Sequence, residues 1–78
     1  MELKDFTKKF AEQFDDTDAS VFAPETAFRE LEEYSSLIAL SIIAMIDEEY
    51  GVTIGGKEMR ASVTIEDLFN TVKAKKGE

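Results

Sequence analysis

Apolar residues recur at helical spacing in three stretches of the chain, and polar clusters separate those stretches. In the first stretch, residues 2–14, the apolar positions follow one another at intervals of three and four residues: Leu3, Phe6, Phe10 and Phe14. This spacing predicts a helix with one apolar face, with lysines and acids on the other faces. The polar cluster at residues 15–18 predicts the end of that helix, since Asp and Thr favour turns.

Residues 36–50, with the sequence SLIALSIIAMIDEEY, give the strongest helix signal. We expect one side of this helix to carry Ala39, Leu40, Ile43, Ile46 and Tyr50, while Ile38, Ile42 and Met45 extend the apolar surface past half of the cylinder. A helix this apolar is either central or carries a hydrophobic contact surface on one flank. Gly51 predicts its end.

The third helix is predicted to begin after Thr64, because Thr64 and Asp67 have the spacing of a capping box. Its core stripe is Ile65, Leu68, Phe69 and Val72. Between the second and third helices we expect an extended connection at residues 52–54 and a short helical turn at 57–61.

Residues 19–35 form a long connection in which Pro24 interrupts any helix. A short helical turn at 25–31 is expected there. Its apolar residues should fold back onto the other helices: Phe22, Phe28, Leu31 and Tyr34. The sequence therefore predicts one all-α domain spanning residues 1–78, a small bundle of three main helices and a short one.

Composition narrows the function classes. The 78 residues include 9 Lys+Arg, 17 Asp+Glu, no His and no Cys, for a net charge of −8. Disulfides, thiolate nucleophiles and Cys-type zinc sites are therefore excluded, and the usual neutral-pH general base is missing, which argues against an enzyme. Nucleic-acid binding is disfavoured because phosphate contacts need basic partners.

The charge is uneven along the chain. Eleven acids and one base, Arg29, lie between Glu12 and Glu49. This acidic middle indicates either a basic partner or ordinary solubility. No apolar run is long enough to span a membrane, and the first residues lack an apolar secretory core, so a cytoplasmic protein is the default expectation.

Two groups of acids do not form convincing sites. The spacing Asp16-x-Asp18-x-Ser20 is that of a calcium loop, but the sixth position holds Val21 instead of Gly and the twelfth Ala27 instead of Glu. The adjacent acids 47–49 would point in different directions on a helix. We therefore predict neither a metal site nor catalytic carboxylates.

Ser35 and Ser36 precede the apolar helix directly, which permits two interpretations. Ser is a favoured helix cap, so the pair could be purely structural. Alternatively, one serine is modified, because a phosphate ester there would lie at the positive end of the helix near unpaired N–H groups. Neither serine has a basic activator in the sequence, so self-sufficient nucleophilic catalysis is not predicted.

The stretch FRELEEYSSLIALSIIAMIDEEYGVTI resembles an acyl carrier protein. In that family a serine followed by leucine, at the start of the second helix, carries 4′-phosphopantetheine. Ser36-Leu37 matches this motif, residues 48–50 match the acidic-aromatic end of the helix, and residues 64–68 resemble the start of the last helix. Length, acidity and helix order agree, so the resemblance spans nearly the whole chain.

The resemblance implies a non-enzymatic carrier of acyl groups, held as thioesters on a phosphopantetheine arm at Ser36, in fatty acid, polyketide or related biosynthesis. It implies modification by a phosphopantetheinyl transferase, and docking to acyl-transferring and condensing enzymes through their basic or apolar patches. The family's aspartate before the serine commonly helps the transferase, but Ser35 stands there in this chain. Ser35 is also the alternative acceptor, which the following Leu37 disfavours.

Helix 36–50 is expected to carry the partner-binding surface: Leu37, Ile38, Ser41, Met45 and Glu48. Positions that are often acidic in the family are apolar or neutral here, which suggests a dedicated partner. Candidate lining residues for the family's apolar chamber are Phe28, Leu40, Ile46, Ile54 and Ile65, although these could equally pack as ordinary core. The competing hypothesis is a carrier fold without the prosthetic group, in which the Ile38–Met45 flank binds a partner.

Overall fold

A computed structural model describes residues 1–78 and contains four α-helices. They are α1 (Leu3–Ala11), α2 (Ser36–Tyr50), α3 (Gly56–Ala61) and α4 (Ile65–Lys76). The predicted all-α fold, a small four-helix bundle, is confirmed. A single cluster of 14 buried residues forms the hydrophobic core.

The core is built on the aromatic face of α1. Phe6 and Phe10 are fully buried there. The helix ends at Ala11, earlier than predicted, but the following turn still brings Phe14 into the core, where its ring stacks on Phe10 at 5.7 Å between centroids. Phe6 meets the Phe69 ring of α4 edge-on at 5.6 Å. The phenylalanine stripe thus joins the first helix to the last.

The long connection between α1 and α2 folds back onto the bundle, as its aromatic residues predict. The Phe22 ring lies 4.9 Å from Phe14, and Phe28 is fully buried with its ring edge-on to Phe10 at 5.1 Å. The expected helical turn at 25–31 is a 3₁₀ helix, Phe28–Glu30. A second 3₁₀ helix, Ala19–Val21, was not predicted; Asp18 begins it by accepting a hydrogen bond from the Ser20 N–H.

Hydrogen bonds join this connection to the start of α4. The backbone N–H groups of Ile65 and Glu66 donate to the carbonyls of Thr26 and Pro24, at 3.2 and 2.9 Å. These N–H groups belong to the first turn of α4, where backbone N–H groups have no acceptor within their own helix. One turn of α4 therefore depends on a segment about forty residues earlier in the chain.

Helix α2 is the most apolar helix, and its orientation differs from the prediction. Ile42, Met45 and Ile46 face the core. Leu40, expected to line an apolar chamber, is 60% exposed, while Met45, expected on the recognition surface, is only 7% exposed. Both placements were wrong, because a helix with apolar residues almost all round has no sequence contrast to orient it. None of the four helices combines the length and the hydrophobicity that a membrane-spanning helix requires.

The predicted helix boundaries after α2 are accurate to about one residue. Gly51 ends α2 in the left-handed conformation, with φ of 66°. The Thr64 hydroxyl accepts from the Asp67 N–H at 3.1 Å, and the Asp67 carboxylate accepts from the Thr64 N–H at 3.0 Å, which confirms the capping box. Helix α3 begins at Gly56, where the Glu58 carboxylate accepts from the Gly55 N–H.

Candidate functional site

The two serines at the start of α2 have different roles. Ser35 is the N-cap: its backbone is extended, with φ of −152°, and its hydroxyl oxygen accepts from the Ile38 N–H at 3.3 Å. Ser36 is the first residue of the helix and is exposed. The capping function belongs to Ser35, so the Ser36 hydroxyl is not required for it.

The segment that leads into this helix is held by Glu33, for which the sequence pattern predicts no role. Its carboxylate accepts from the N–H groups of Asp15 and Asp16, at 2.7 and 3.1 Å, and from the Thr17 hydroxyl at 2.6 Å. The Thr17 hydroxyl, followed by these backbone donors, lowers the pKa of Glu33 despite opposing desolvation. The turn after α1 is thereby fastened to the residues that precede the serine pair.

Tyr34 provides a second attachment of the same segment. Its ring packs edge-on against Phe28 at 5.7 Å, and burial raises its pKa. Because Glu33 and Tyr34 are held from two directions, Ser36 has a defined position relative to the core.

A groove of about 380 Å³ begins at Ser36 and runs between α2 and α3. Its remaining lining residues are mainly apolar: Tyr34, Ala39, Leu40, Ile43, Gly56, Met59 and Arg60. The Arg60 guanidinium folds back across the start of α3, where a Cβ built on Gly56 would lie 3.1 Å from its Nη1 atom. The groove therefore has mainly apolar walls and is lined by one cation, Arg60, and by the exposed Ser36.

The five residues proposed to line an apolar chamber do not share one cavity. Four are packed in the core with at most 2% exposure: Phe28, Ile46, Ile54 and Ile65. Leu40 lies on the groove beside Ser36. The groove residues Ala39, Ile43 and Met59 were missed, although their helical spacing from Ser36 and Leu40 could have indicated the first two.

The predicted partner-binding residues are divided between surface and interior. Leu37, Ser41 and Glu48 are exposed, and Leu37 has 76% of its surface accessible. Ile38 is half-buried against the core, and Met45 is buried within it. The exposed apolar ridge of α2 consists instead of Leu37 and Leu40.

No carboxylate lines the groove beside Ser36. Arg60 is the only charged residue lining the groove, and a guanidinium cannot act as a general base in proteins. The acids at the far end of α2 are engaged or solvated; Glu49 pairs with the Lys9 ammonium at 3.2 Å. That hydrogen bond is the largest of the influences that raise the pKa of Lys9.

The site is thus an exposed hydroxyl on a fixed helix end, next to an apolar groove. The protein contains no cluster of three or more His, Cys, Asp or Glu side chains that could hold a metal ion. Comparisons with protein-family models, with curated proteins and with solved structures found no match to this chain.

Proposed function

We propose that this protein is an acyl carrier protein, modified on Ser36 with 4′-phosphopantetheine. The observation that carries the proposal is the separation of roles at the start of α2. Ser35 caps the helix, while Ser36 is exposed at the first helical position beside an apolar groove. Helix capping requires only the Ser35 hydroxyl, so capping does not explain the presence of a second hydroxyl at Ser36.

The surroundings of Ser36 suit a phosphate ester and a flexible arm. The helix begins at Ser36, so the ester would lie at the positive end of the α2 dipole, and Arg60 adds a cation on the same groove. The walls formed by Ala39, Leu40 and Ile43 suit the arm and the start of an acyl chain. When attached, the prosthetic group supplies a thiol that holds acyl groups as thioesters.

The protein's own contribution would be anchoring and recognition. The exposed ridge of Leu37 and Leu40, with Glu48 farther along α2, suits enzymes whose docking patches combine apolar and basic residues. The expected partners are a phosphopantetheinyl transferase and acyl-transferring or condensing enzymes. We propose that the protein acts in the cytoplasm, where coenzyme A would serve as the donor of the arm.

Intact-mass measurement tests the assignment. The purified chain is incubated with coenzyme A, Mg²⁺ and a promiscuous phosphopantetheinyl transferase. We expect a mass gain of one phosphopantetheine, abolished by Ser36→Ala and retained by the matched variant Ser20→Ala, which removes an exposed hydroxyl away from α2. No gain, or a gain that Ser36→Ala leaves unchanged, would contradict the assignment.

Ser35→Asp makes the test more sensitive. Aspartate caps helices as well as serine does, so α2 should be preserved while the family's acidic residue is restored before Ser36. We expect faster modification of this variant than of the unaltered chain. If Ser35→Asp is folded and still gains no mass, the substitution of that aspartate cannot be the reason for the failure.

The second candidate is an interaction module that keeps the fold without the prosthetic group. The exposure of Leu37 and Leu40, at 76% and 60%, together with Ser35 in place of the family's acid, favours this alternative. It predicts no mass gain for the unaltered chain or for Ser35→Asp. The same mass measurement therefore separates the two candidates.

A further inference from the structure

A second groove lies on the side of the bundle formed by α1 and the connection that follows it. Its volume is about 640 Å³, within the range of small-molecule sites. The walls come from α1 and from residues 19–24, and the apolar lining comprises Leu3, Ala11, Ala19, Phe22, Ala23 and Pro24. Phe22 is fixed by its contact with Phe14, so this wall has a defined position.

The charged side chains that line this groove are both cationic. Lys4 and Lys8 line it one helical turn apart, and neither belongs to an ion pair of the protein. The remaining polar side chain, Thr7, donates its hydroxyl to the Leu3 carbonyl at 2.9 Å. The side-chain donors left for a ligand are therefore the two ammonium groups.

We propose that this groove binds the anion of a medium-chain fatty acid, with the carboxylate at Lys4 and Lys8 and the alkyl chain along Phe22 and Ala23. The charges are complementary locally, even though the protein as a whole has a net charge of −8. The helical part of the wall, from Leu3 to Ala11, is about 12 Å long at 1.5 Å per residue, which limits the whole ligand, carboxylate included, to medium length.

The proposed site is separate from Ser36 and does not depend on its modification. The groove beside Ser36 lies between α2 and α3, and the two grooves have no lining residue in common. Binding is therefore tested on the unmodified chain, and its outcome is independent of the carrier assignment.

Amide chemical shifts in a titration with decanoate, below its micelle concentration, provide the test. We expect saturable binding at one site, with the largest shifts at Thr7, Ala11 and Ala23. Decan-1-ol, which has the chain without the charge, should bind more weakly, and acetate, which has the charge without the chain, should not saturate. Equal binding of acetate would indicate simple ion pairing at lysines and would overturn the proposal.

Two double variants test whether the charges of Lys4 and Lys8 contribute to binding. Lys4→Gln/Lys8→Gln should weaken decanoate binding about fivefold, as expected for two solvent-exposed ion pairs. The matched variant Lys57→Gln/Lys73→Gln removes the same charge elsewhere and should bind as the unaltered chain does. Equal weakening by both pairs would show a net-charge effect and overturn the site.

Ala11→Phe should fill the groove and reduce binding strongly, whereas Ala74→Phe, on an exposed position of α4, should not. Far-UV circular dichroism verifies that each variant is folded. If decanoate does not saturate the unaltered chain, or shifts only amides of the α2–α3 groove, the proposal is wrong.

Discussion

The separate roles of the two serines predict that Ser35→Ala lowers the stability of the fold and that the neighbouring Ser36→Ala does not. Ser35→Ala removes the acceptor of the Ile38 N–H, and loss of an N-cap serine typically costs about 0.5–2 kcal/mol. The O···N distance of 3.3 Å is long, so we expect the lower part of that range, about 0.5–1 kcal/mol. Ser36→Ala should cost nothing, because it replaces an exposed serine within the helix by the strongest helix former.

Urea denaturation followed by far-UV circular dichroism measures both effects. The dependence of the unfolding free energy on urea concentration should be the same for the unaltered chain and the two variants, so that their urea midpoints can be compared directly. For a domain of this size, 1 kcal/mol corresponds to about 4–8 °C in melting temperature, so the Ser35→Ala loss is also detectable by calorimetry. If Ser36→Ala destabilises the protein as much as Ser35→Ala, the Ser36 hydroxyl is structural, and the reasoning that it is a free anchor is refuted.

Four further outcomes are expected. Thr64→Ala should lower the unfolding free energy by about 1 kcal/mol in urea. Gly51→Ala should cost about 1 kcal/mol, since φ is 66° there with space for a methyl group. Because Glu33 and Asp67 have pKa values lowered from their ordinary 4.5 and 3.8, the stability they contribute should be lost as pH falls below those values, and Glu33→Gln/Asp67→Asn should flatten this acid dependence. Added NaCl should raise the melting temperature by screening the acidic middle; an unchanged value would contradict strong repulsion.

The helices with polar faces or clear caps were predictable from the sequence. The phenylalanine spacing of α1 identifies its buried face because charged residues occupy the others. Thr64 and Asp67 define the start of α4 because their bonds are local, three residues apart. In both cases the residues that determine the structure lie within one or two helical turns of each other.

The orientation of α2 and the details of the long connection were not predictable in the same way. Leu40 and Met45 are equally apolar in character, and only packing against the other helices decides which is buried. Glu33 is one of several acids in its segment, and its role depends on a turn about sixteen residues earlier. The Ser35–Ser36 pair was identified as a candidate, but its division into cap and exposed hydroxyl required coordinates.

The attachment of the long connection has a consequence for any enzyme that approaches Ser36. Although most of this segment is not helical, Glu33 holds one end, Phe28 its middle, and the Arg29 side chain donates to the Ser62 carbonyl at 3.0 Å. Because residues 28, 29 and 33 are held by the core and by hydrogen bonds, we expect this segment to open less readily than an unattached loop. The residues that lead into Ser36 are therefore held before any partner arrives, and a modifying enzyme would meet the serine on a preformed segment.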